Sequence, residues 1–118
     1  MVAWLFDQSR RLPGAVQRRL NREQLAISPF VKLELAYMHE IGRASLPAEA
    51  VIDELSGRLE LVLADVAASA VCDAAVGLSW TRDPFDRLIA AHALASRLTL
   101  ITRDERMRRH LPLAWWED

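Results

Sequence analysis

Several residue types are scarce in this 118-residue sequence, and each shortage excludes a class of protein. One cysteine, Cys72, allows neither an internal disulfide nor a cysteine-based zinc site, so we expect it to be a small core residue. Four scattered glycines cannot build a glycine-rich phosphate loop. No apolar run approaches the ~18 residues of a membrane-spanning helix, and the apolar start at 1–6 lacks the basic flank of a secretory signal. These absences predict a cytoplasmic protein with no membrane partner.

Positive charge is carried almost wholly by arginine, because Lys32 is the single lysine. Planar guanidinium groups suit phosphate recognition, but a GC-rich coding bias gives the same count. Lys and Arg together number 15 against 16 Asp and Glu, so the net charge of -1 indicates neither a nucleic-acid nor a membrane partner. Any such partner would have to be bound by a local cluster of charged residues. Hydrophobic residues make up 52% of the chain, which argues against disorder and predicts one domain over residues 1–118.

Short apolar runs alternate with helical stretches along the chain. Strands are predicted at 25–28, 59–64 and 98–102, with a possible terminal strand at 113–116 that holds Trp115 and Trp116. Helices are predicted at 1–6, 14–22, 29–41, 47–55, 66–78, 83–96 and 104–110. Strands that alternate with helices of this length indicate a parallel sheet covered on both faces, so the fold class is α/β.

Three carboxylates lie in apolar surroundings near helix starts that follow strands. Glu34 falls on the apolar face of the helix that starts at Pro29, where a carboxylate is costly unless it is neutralised, paired with an arginine or bound to a metal. Asp86 projects along a packed helix face, although a favourable interaction with the helix dipole would also explain it. Asp104 follows the 98–102 strand and would serve equally as a helix cap.

Parallel topology would bring these three acids to the same edge of the sheet, which is where open α/β sheets place their sites. Convergent carboxylates suit hard cations such as Mg²⁺ or Mn²⁺, which prefer oxygen ligands. The chemistry indicated is metal-assisted phosphodiester hydrolysis. The three histidines, His39, His92 and His110, lack metal-ligand spacing and are interpreted as surface or helix-packing residues. A phosphoacceptor α/β domain is a weaker alternative, because the expected lysine strand is missing.

Three ordered segments resemble those of a known family. DPFDRLIAAHA at 83–93 is similar to the DPFDRLLAAQA segment of the PIN-domain ribonucleases, in particular the VapC-type toxins of prokaryotic toxin–antitoxin pairs. LTLITRD at 98–104 is similar to the strand that follows in that family, and LAISPFVKLEL at 25–35 resembles the strand and helix that bear its glutamate. The resemblance implies a three-layer α/β/α sandwich with a short, mainly parallel sheet. It also implies an endoribonuclease toxin that uses Mg²⁺ or Mn²⁺, a cognate antitoxin and a homodimer.

The resemblance assigns roles to individual side chains of this sequence. The residues implied to be catalytic and metal-binding are Glu34, Asp86 and Asp104; those implied to support them are Asp83, as an accessory or capping residue, and the hydroxyls of Ser28 and Thr102. Candidate RNA-binding arginines are Arg103, Arg106, Arg11 and Arg18, within early and late clusters that also hold Arg10, Arg19, Arg22, Arg108 and Arg109. Each cluster would equally be a solvated helix face.

One departure from the family concerns the first strand. PIN-domain ribonucleases open with a short apolar strand that ends in an LDTH-like motif, whereas residues 1–6 look like the segment just after it. The resemblance therefore implies that the central strand and its aspartate are missing, with Asp7 a poor substitute. Either the start of this sequence was placed inside a longer natural protein, or the chain is a degenerate copy that no longer cleaves. On this interpretation metal binding is weak and cleavage is impaired, and the alternative function is a non-catalytic PIN-like module that binds an antitoxin or dimerises.

Overall fold

A computed structural model describes residues 2–3, 14–22, 25–58, 61–63 and 65–117. The strands are β1 (Val2–Ala3), β2 (Leu25–Ile27), β3 (Leu61–Leu63), β4 (Leu100–Ile101) and β5 (Ala114–Trp115). The helices are α1 (Gly14–Arg22), α2 (Pro29–Glu40), α3 (Ala48–Arg58), α4 (Ala68–Val76), α5 (Pro84–Ser96) and α6 (Glu105–His110). The strands form one sheet in the order β3-β2-β1-β4-β5, with every neighbouring pair parallel. The predicted α/β class with a short parallel sheet is confirmed.

The centre of the sheet is β1, which corrects two predictions. Val2 pairs with Ala26 on one side and Leu100 on the other, so the central position is filled by Val2–Ala3 and the strand is not missing. The predicted helix over 1–6 is wrong at these two residues, because pairing with strands on both sides satisfies more backbone groups than a single isolated helical turn. Trp4 follows this strand in sequence, and no LDTH-like motif accompanies it. Asp7 lies outside the described residues.

The core lies around α5, whose apolar side is made largely of small residues. Ile89, Ala90, Ala91 and Ala93 are fully buried, and small side chains allow neighbouring backbones to approach closely. Leu100 of β4 is also fully buried against this helix. The predicted helix boundaries at 83–96 therefore agree with the structure, because the same apolar segment both forms the helix and supplies much of the core.

The third predicted strand is shorter than the apolar pattern suggested. Arg97 adopts the left-handed conformation (φ 56°) at the end of α5, and the backbone N–H of Leu98 donates to the carbonyl of Ala93 as part of this cap. Only Leu100–Ile101 forms the strand, since Thr102 is already engaged in the next turn. The predicted terminal strand is confirmed in β5, where the N–H of Leu100 and the N–H of Thr102 donate to carbonyls of 113 and 115.

The prediction that Cys72 is a core residue is wrong. Its side chain is exposed on α4, where the neighbouring Val71 is the buried residue. Adjacent positions on a helix point about 100° apart, so an Ala- and Val-rich helix can bury one residue and expose the next. Among the described residues, no helix combines the length and apolar content needed to cross a bilayer.

Candidate functional site

Three helices that bear the predicted acids each begin with a polar cap. The hydroxyl of Ser28 accepts a hydrogen bond from the N–H of Phe30 (3.2 Å) at the start of α2. Asp83 Oδ1 accepts from the N–H groups of Phe85 (2.9 Å) and Asp86 (3.0 Å) at the start of α5. Asp104 Oδ1 accepts from the N–H of Met107 (2.9 Å) at the start of α6. These side chains satisfy backbone donors that have no partner within a helix, and so fix where each helix begins.

The same tripeptide, Thr-Arg-Asp, builds the caps of both α5 and α6. The backbone N–H of Asp83 donates to the hydroxyl of Thr81 (3.3 Å), and the N–H of Asp104 donates to that of Thr102 (3.1 Å). Both threonines are only 2% exposed. Thr102 and Thr81 thus take the same place in the two caps, and the place of Thr81 was missed by the sequence reasoning. The repeated TRD at 81–83 and 102–104 was the signal that would have found it.

Three carboxylates meet between α2 and α5. Glu34, Asp83 and Asp86 each offer an oxygen, and these oxygens all lie within 4.8 Å of one another. Glu34 is 9% exposed, Asp86 is half-buried and Asp83 is exposed, so the group lies at the border of the core. Two oxygens bound to one Mg²⁺ are at most about 4.2 Å apart, since each bond is about 2.1 Å long. The donor set fits a hard divalent cation after a small contraction of the group.

Burial and neighbouring negative charge act together on Asp86. Desolvation, followed by repulsion from Asp83 and Asp104, raises the pKa of Asp86 from 3.8 to about 6, and the positive charge of Arg106 partly opposes this. Without a cation, the carboxylate form of Asp86 is therefore disfavoured. A divalent cation would reverse this effect, because its charge stabilises the ionised form of every acid around it.

In the structure Asp83, and not Asp104 as the sequence suggested, belongs to the group of acids with Glu34 and Asp86. Of the three acids predicted as metal ligands, the structure brings Glu34 and Asp86 together, whereas Asp104 lies outside their group and is exposed at its helix cap. It remains close enough to raise the pKa of Asp86. Asp83, predicted as an accessory or capping residue, caps α5 through Oδ1 and also belongs to the acidic group. A carboxylate has two oxygens, so capping through one leaves the other for a cation.

A buried hydrogen bond joins the two helices that carry the acidic group. Ser28 Oγ lies 2.7 Å from Nδ1 of His92, and both side chains are almost fully buried. His92 on α5 also meets the ring of Phe30 edge-on, with centroids 5.8 Å apart. Burial lowers the pKa of His92, and Asp65 partly opposes this. His92 is thus a helix-packing residue, as predicted, and Ser28 supports both the start of α2 and its contact with α5.

The predicted RNA-binding arginines are spread over separate elements. Arg106 is exposed on α6 and its charge acts on Asp86, whereas Arg103 is exposed just before α6 and Arg18 is exposed on α1. Arg11 lies outside the described residues. Arg87, which the sequence reasoning passed over, has a structural role: its Nε donates to the carbonyl of residue 75 (2.8 Å) and its guanidinium to that of residue 76 (3.2 Å). Arg87 therefore links the end of α4 to the start of α5 by hydrogen bonds.

Comparison with known proteins agrees with this fold. A family model of the PIN domain matches residues 1–110. Ribonuclease VapC22 of Mycobacterium tuberculosis is 32% identical over 111 residues, which cover 91% of this chain and 83% of that protein. A chain in the crystal structure of DNA-bound VapBC from Salmonella typhimurium has a TM-score of 0.60 and 28% identity, and the match covers 90% of this chain and 85% of that one. This chain therefore belongs to the PIN-domain family, as one of its VapC-type members.

Proposed function

We propose that this protein is a metal-dependent endoribonuclease that acts as the toxin of a toxin–antitoxin pair. The observation that carries the proposal is the group of three carboxylates on α2 and α5, with oxygens within 4.8 Å of one another and Glu34 nearly buried. The similar protein from Mycobacterium tuberculosis is named as a ribonuclease, which supports RNA as the substrate. When bound, Mg²⁺ or Mn²⁺ would activate water and stabilise the negative charge that develops on a phosphodiester.

Each side chain of the site has a distinct task in this proposal. Glu34 and Asp86 hold the cation from the two packed helices, and Asp83 adds a third oxygen from the cap of α5. Asp104 adds negative charge beside Asp86 and completes the outer part of the site. Arg106 lies near enough to act on Asp86, and with Arg103 it offers positive charge to the phosphates of an RNA strand.

Protein partners form the second part of the proposal. The similar Salmonella chain comes from a VapBC complex, which supports a cognate antitoxin as partner. Large apolar side chains are also exposed along α2 and the loop after it: Leu33, Tyr37, Ile41 and Leu46. Contiguous exposed apolar surface is typical of protein interfaces. We therefore assign this face to an antitoxin or to a homodimer contact, in a protein that acts in the cytoplasm.

A second candidate function is a PIN-like module that binds its partner without cleaving RNA. No LDTH-like motif with its aspartate stands at Val2–Ala3 or directly after it in the sequence, and this difference favours the second candidate. The two candidates make opposite predictions for RNA cleavage.

Cleavage of single-stranded RNA in Mg²⁺ or Mn²⁺ separates them. We expect the protein to cut RNA, and Glu34→Gln and Asp86→Asn to lower the rate by a factor on the order of 100, because each removes a charged ligand of the cation. Asp83→Asn should lower it more than Asp104→Asn, since only Asp83 belongs to the group of three. Asp53→Asn, on the exposed side of α3, is the matched control and should cut at the original rate. If the unmodified protein and Glu34→Gln cut equally slowly, the nuclease proposal is wrong.

A further inference from the structure

A second charged site lies away from the acidic group, between α1 and the last strand. It is a pocket of about 410 Å³ lined by Ala15, Arg18, Arg19, Arg22, Trp115 and Glu117. None of the three acids of the candidate metal site belongs to this lining. Three of the six lining residues are arginines and one is acidic, so the pocket is strongly positive in a protein whose net charge is -1.

The arginines are spaced so that they share one side of α1. Arg18 and Arg22 are four positions apart, and Arg19 and Arg22 are three apart, which places them side by side on a helix. Like charges at this spacing destabilise a helix, and Glu117 is the one acid among the six lining residues against the three arginines. An arrangement that costs stability and concentrates charge in a pocket indicates an anionic ligand.

Trp115 gives the pocket an aromatic wall as well as charge. The guanidinium carbon of Arg19 lies 4.5 Å from the centroid of the Trp115 ring, in a cation–π contact that holds the guanidinium in place. Guanidinium groups bind phosphate with two parallel hydrogen bonds, and both guanidinium planes and aromatic rings stack with nucleobases. Phosphate recognition and base stacking are thus available within a few ångströms of each other.

We propose that this pocket binds the sugar–phosphate backbone of single-stranded RNA at a distance from the cleavage site, with Arg18 and Arg22 on phosphates and the Arg19–Trp115 pair beside a base. This inference rests on the proposed function for the identity of the ligand as RNA. The aromatic wall favours a nucleic acid over an acidic protein segment, because carboxylates alone would make no use of a stacking surface. The pocket would hold the strand and so determine which phosphodiester reaches the acidic group.

Fluorescence anisotropy with a fluorescein-labelled single-stranded RNA of about 12 nucleotides tests the site directly. EDTA is present throughout, so that no RNA is cut, and binding is measured over a series of NaCl concentrations. The double variant Arg18→Gln, Arg22→Gln should weaken binding on the order of tenfold at low salt. It should also reduce the slope of log affinity against log salt by about 1.4, since each phosphate contact to a single strand contributes about 0.7.

Two further variants separate loss of contact from loss of structure. Arg18→Lys, Arg22→Lys keeps the charge and should retain the salt slope. Arg43→Gln removes an exposed arginine from the loop after α2 and should change neither affinity nor slope. Circular dichroism spectra and melting temperatures confirm that each variant is folded. Unchanged RNA affinity and slope in the Gln double variant would overturn the inference. Binding of a poly-glutamate peptide is measured in the same way, and the inference is also overturned if the Gln double variant loses binding to this peptide but keeps its binding to RNA.

These experiments distinguish failure of the pocket assignment from failure of the proposed function. If RNA is cut in Mg²⁺ but the Gln double variant binds RNA normally, only the pocket assignment is wrong. If binding depends on Arg18 and Arg22 while no divalent cation supports cleavage, the pocket stands and the nuclease proposal is wrong.

Discussion

At the scale of single residues, Asp86 carries the greatest electrostatic cost in the described part of the site. Its carboxyl group is half-buried and faces two further acids, and its pKa is raised to about 6. A group of this kind stabilises the folded protein poorly and binds a cation well. This electrostatic cost supports the proposed role of Asp86 in cation binding, beside the helix-dipole interaction that its place in the first turn of α5 also allows.

The raised pKa of Asp86 predicts how the metal-free protein responds to pH. The folded state holds this proton more tightly than the unfolded state, so between pH 3.8 and about 6 the free energy of unfolding contributed by Asp86 falls as the pH rises. In EDTA, Asp86→Asn should therefore raise the melting temperature at pH 8, by an amount that shrinks as the pH falls through 6 and vanishes near pH 3.5. Thermal unfolding of both proteins across this range measures it.

The matched control is Asp53→Asn, which makes the same substitution at an exposed aspartate of α3. Added Mn²⁺ should remove the advantage of Asp86→Asn at pH 8, because the cation stabilises only the protein that keeps its ligand. An equal change in melting temperature at every pH would contradict the assigned cause.

Predictions for single residues succeeded where the surroundings of a side chain are determined by its neighbours in the sequence. Glu34 was predicted to face the core because helix periodicity places it there, and it is 9% exposed. The exchange between Asp83 and Asp104 was not predictable, because it depends on how α2, α5 and α6 sit relative to one another. Both acids have the same local signal, a Thr-Arg-Asp cap, and only the packing of the helices distinguishes them.

At the scale of elements, the buried contact between Ser28 and His92 links α2 with α5. Ser28 contributes to the cap of one helix and His92 lies near the middle of the other, so this hydrogen bond helps to hold the helices that carry Glu34 and Asp86. Nε2 of His92 is buried and has no hydrogen-bond partner among the described residues. A proton on both ring nitrogens would leave a buried positive charge with one unsatisfied donor.

Acidification should therefore weaken this contact. The pKa of His92 is lowered below its ordinary value of 6.5 by burial, so the unfolded state binds the proton more readily. The free energy of unfolding contributed by His92 is fully present above pH 6.5 and falls as the pH drops below it. His92→Gln keeps a hydrogen-bonding group but cannot titrate, so its stability should change less between pH 7 and pH 5. Urea unfolding at both pH values measures the difference.

His39→Gln is the matched control, because it replaces an exposed histidine of α2 by the same residue. A pH dependence that is identical in the original protein and in His92→Gln would assign the acid sensitivity to another group.

The elements themselves were largely predictable, and their ends were not. The helix at 83–96 was read from a proline, a capping acid and an apolar face, all of which act within the segment. The 98–102 strand was predicted too long because its ends are set by the cap of the preceding helix and the turn at Thr102, which hydropathy alone does not reveal. Cys72 was predicted to be buried from the Ala- and Val-rich composition around it, although Ser69 and Asp73 mark the exposed side of α4 on which it lies.

At the scale of the whole molecule, the central position of β1 is the feature that the sequence concealed. Two apolar residues are too few to show any periodicity, and the resemblance to the family indicated that this strand was missing. In the structure, Val2–Ala3 pairs with β2 and β4 and joins the two sides of the sheet. The stability of the fold therefore depends strongly on a segment that appears negligible in sequence.

Proline substitution tests this dependence. Ala3→Pro removes a backbone donor and imposes a fixed φ in the middle of a sheet, so it should lower the free energy of unfolding by about 3 kcal/mol. Ala3→Ser keeps the backbone donor and should cost much less. Urea unfolding of both variants provides the measurement. Equal stability of Ala3→Pro and Ala3→Ser would show that β1 does not pair with its neighbours as described.

The pairing of Val2 with Leu100 also constrains the order of events during synthesis. β1 must wait for β4, which lies almost a hundred residues later in the sequence, and parallel neighbours of such wide sequence separation close slowly. Until β4 leaves the ribosome, β1 and β2 cannot be joined to β4 and β5 in one sheet. The edges of β1 and β2 meanwhile stay exposed to other chains. A nascent chain would thus complete the centre of its sheet only after the residues of β4 have emerged.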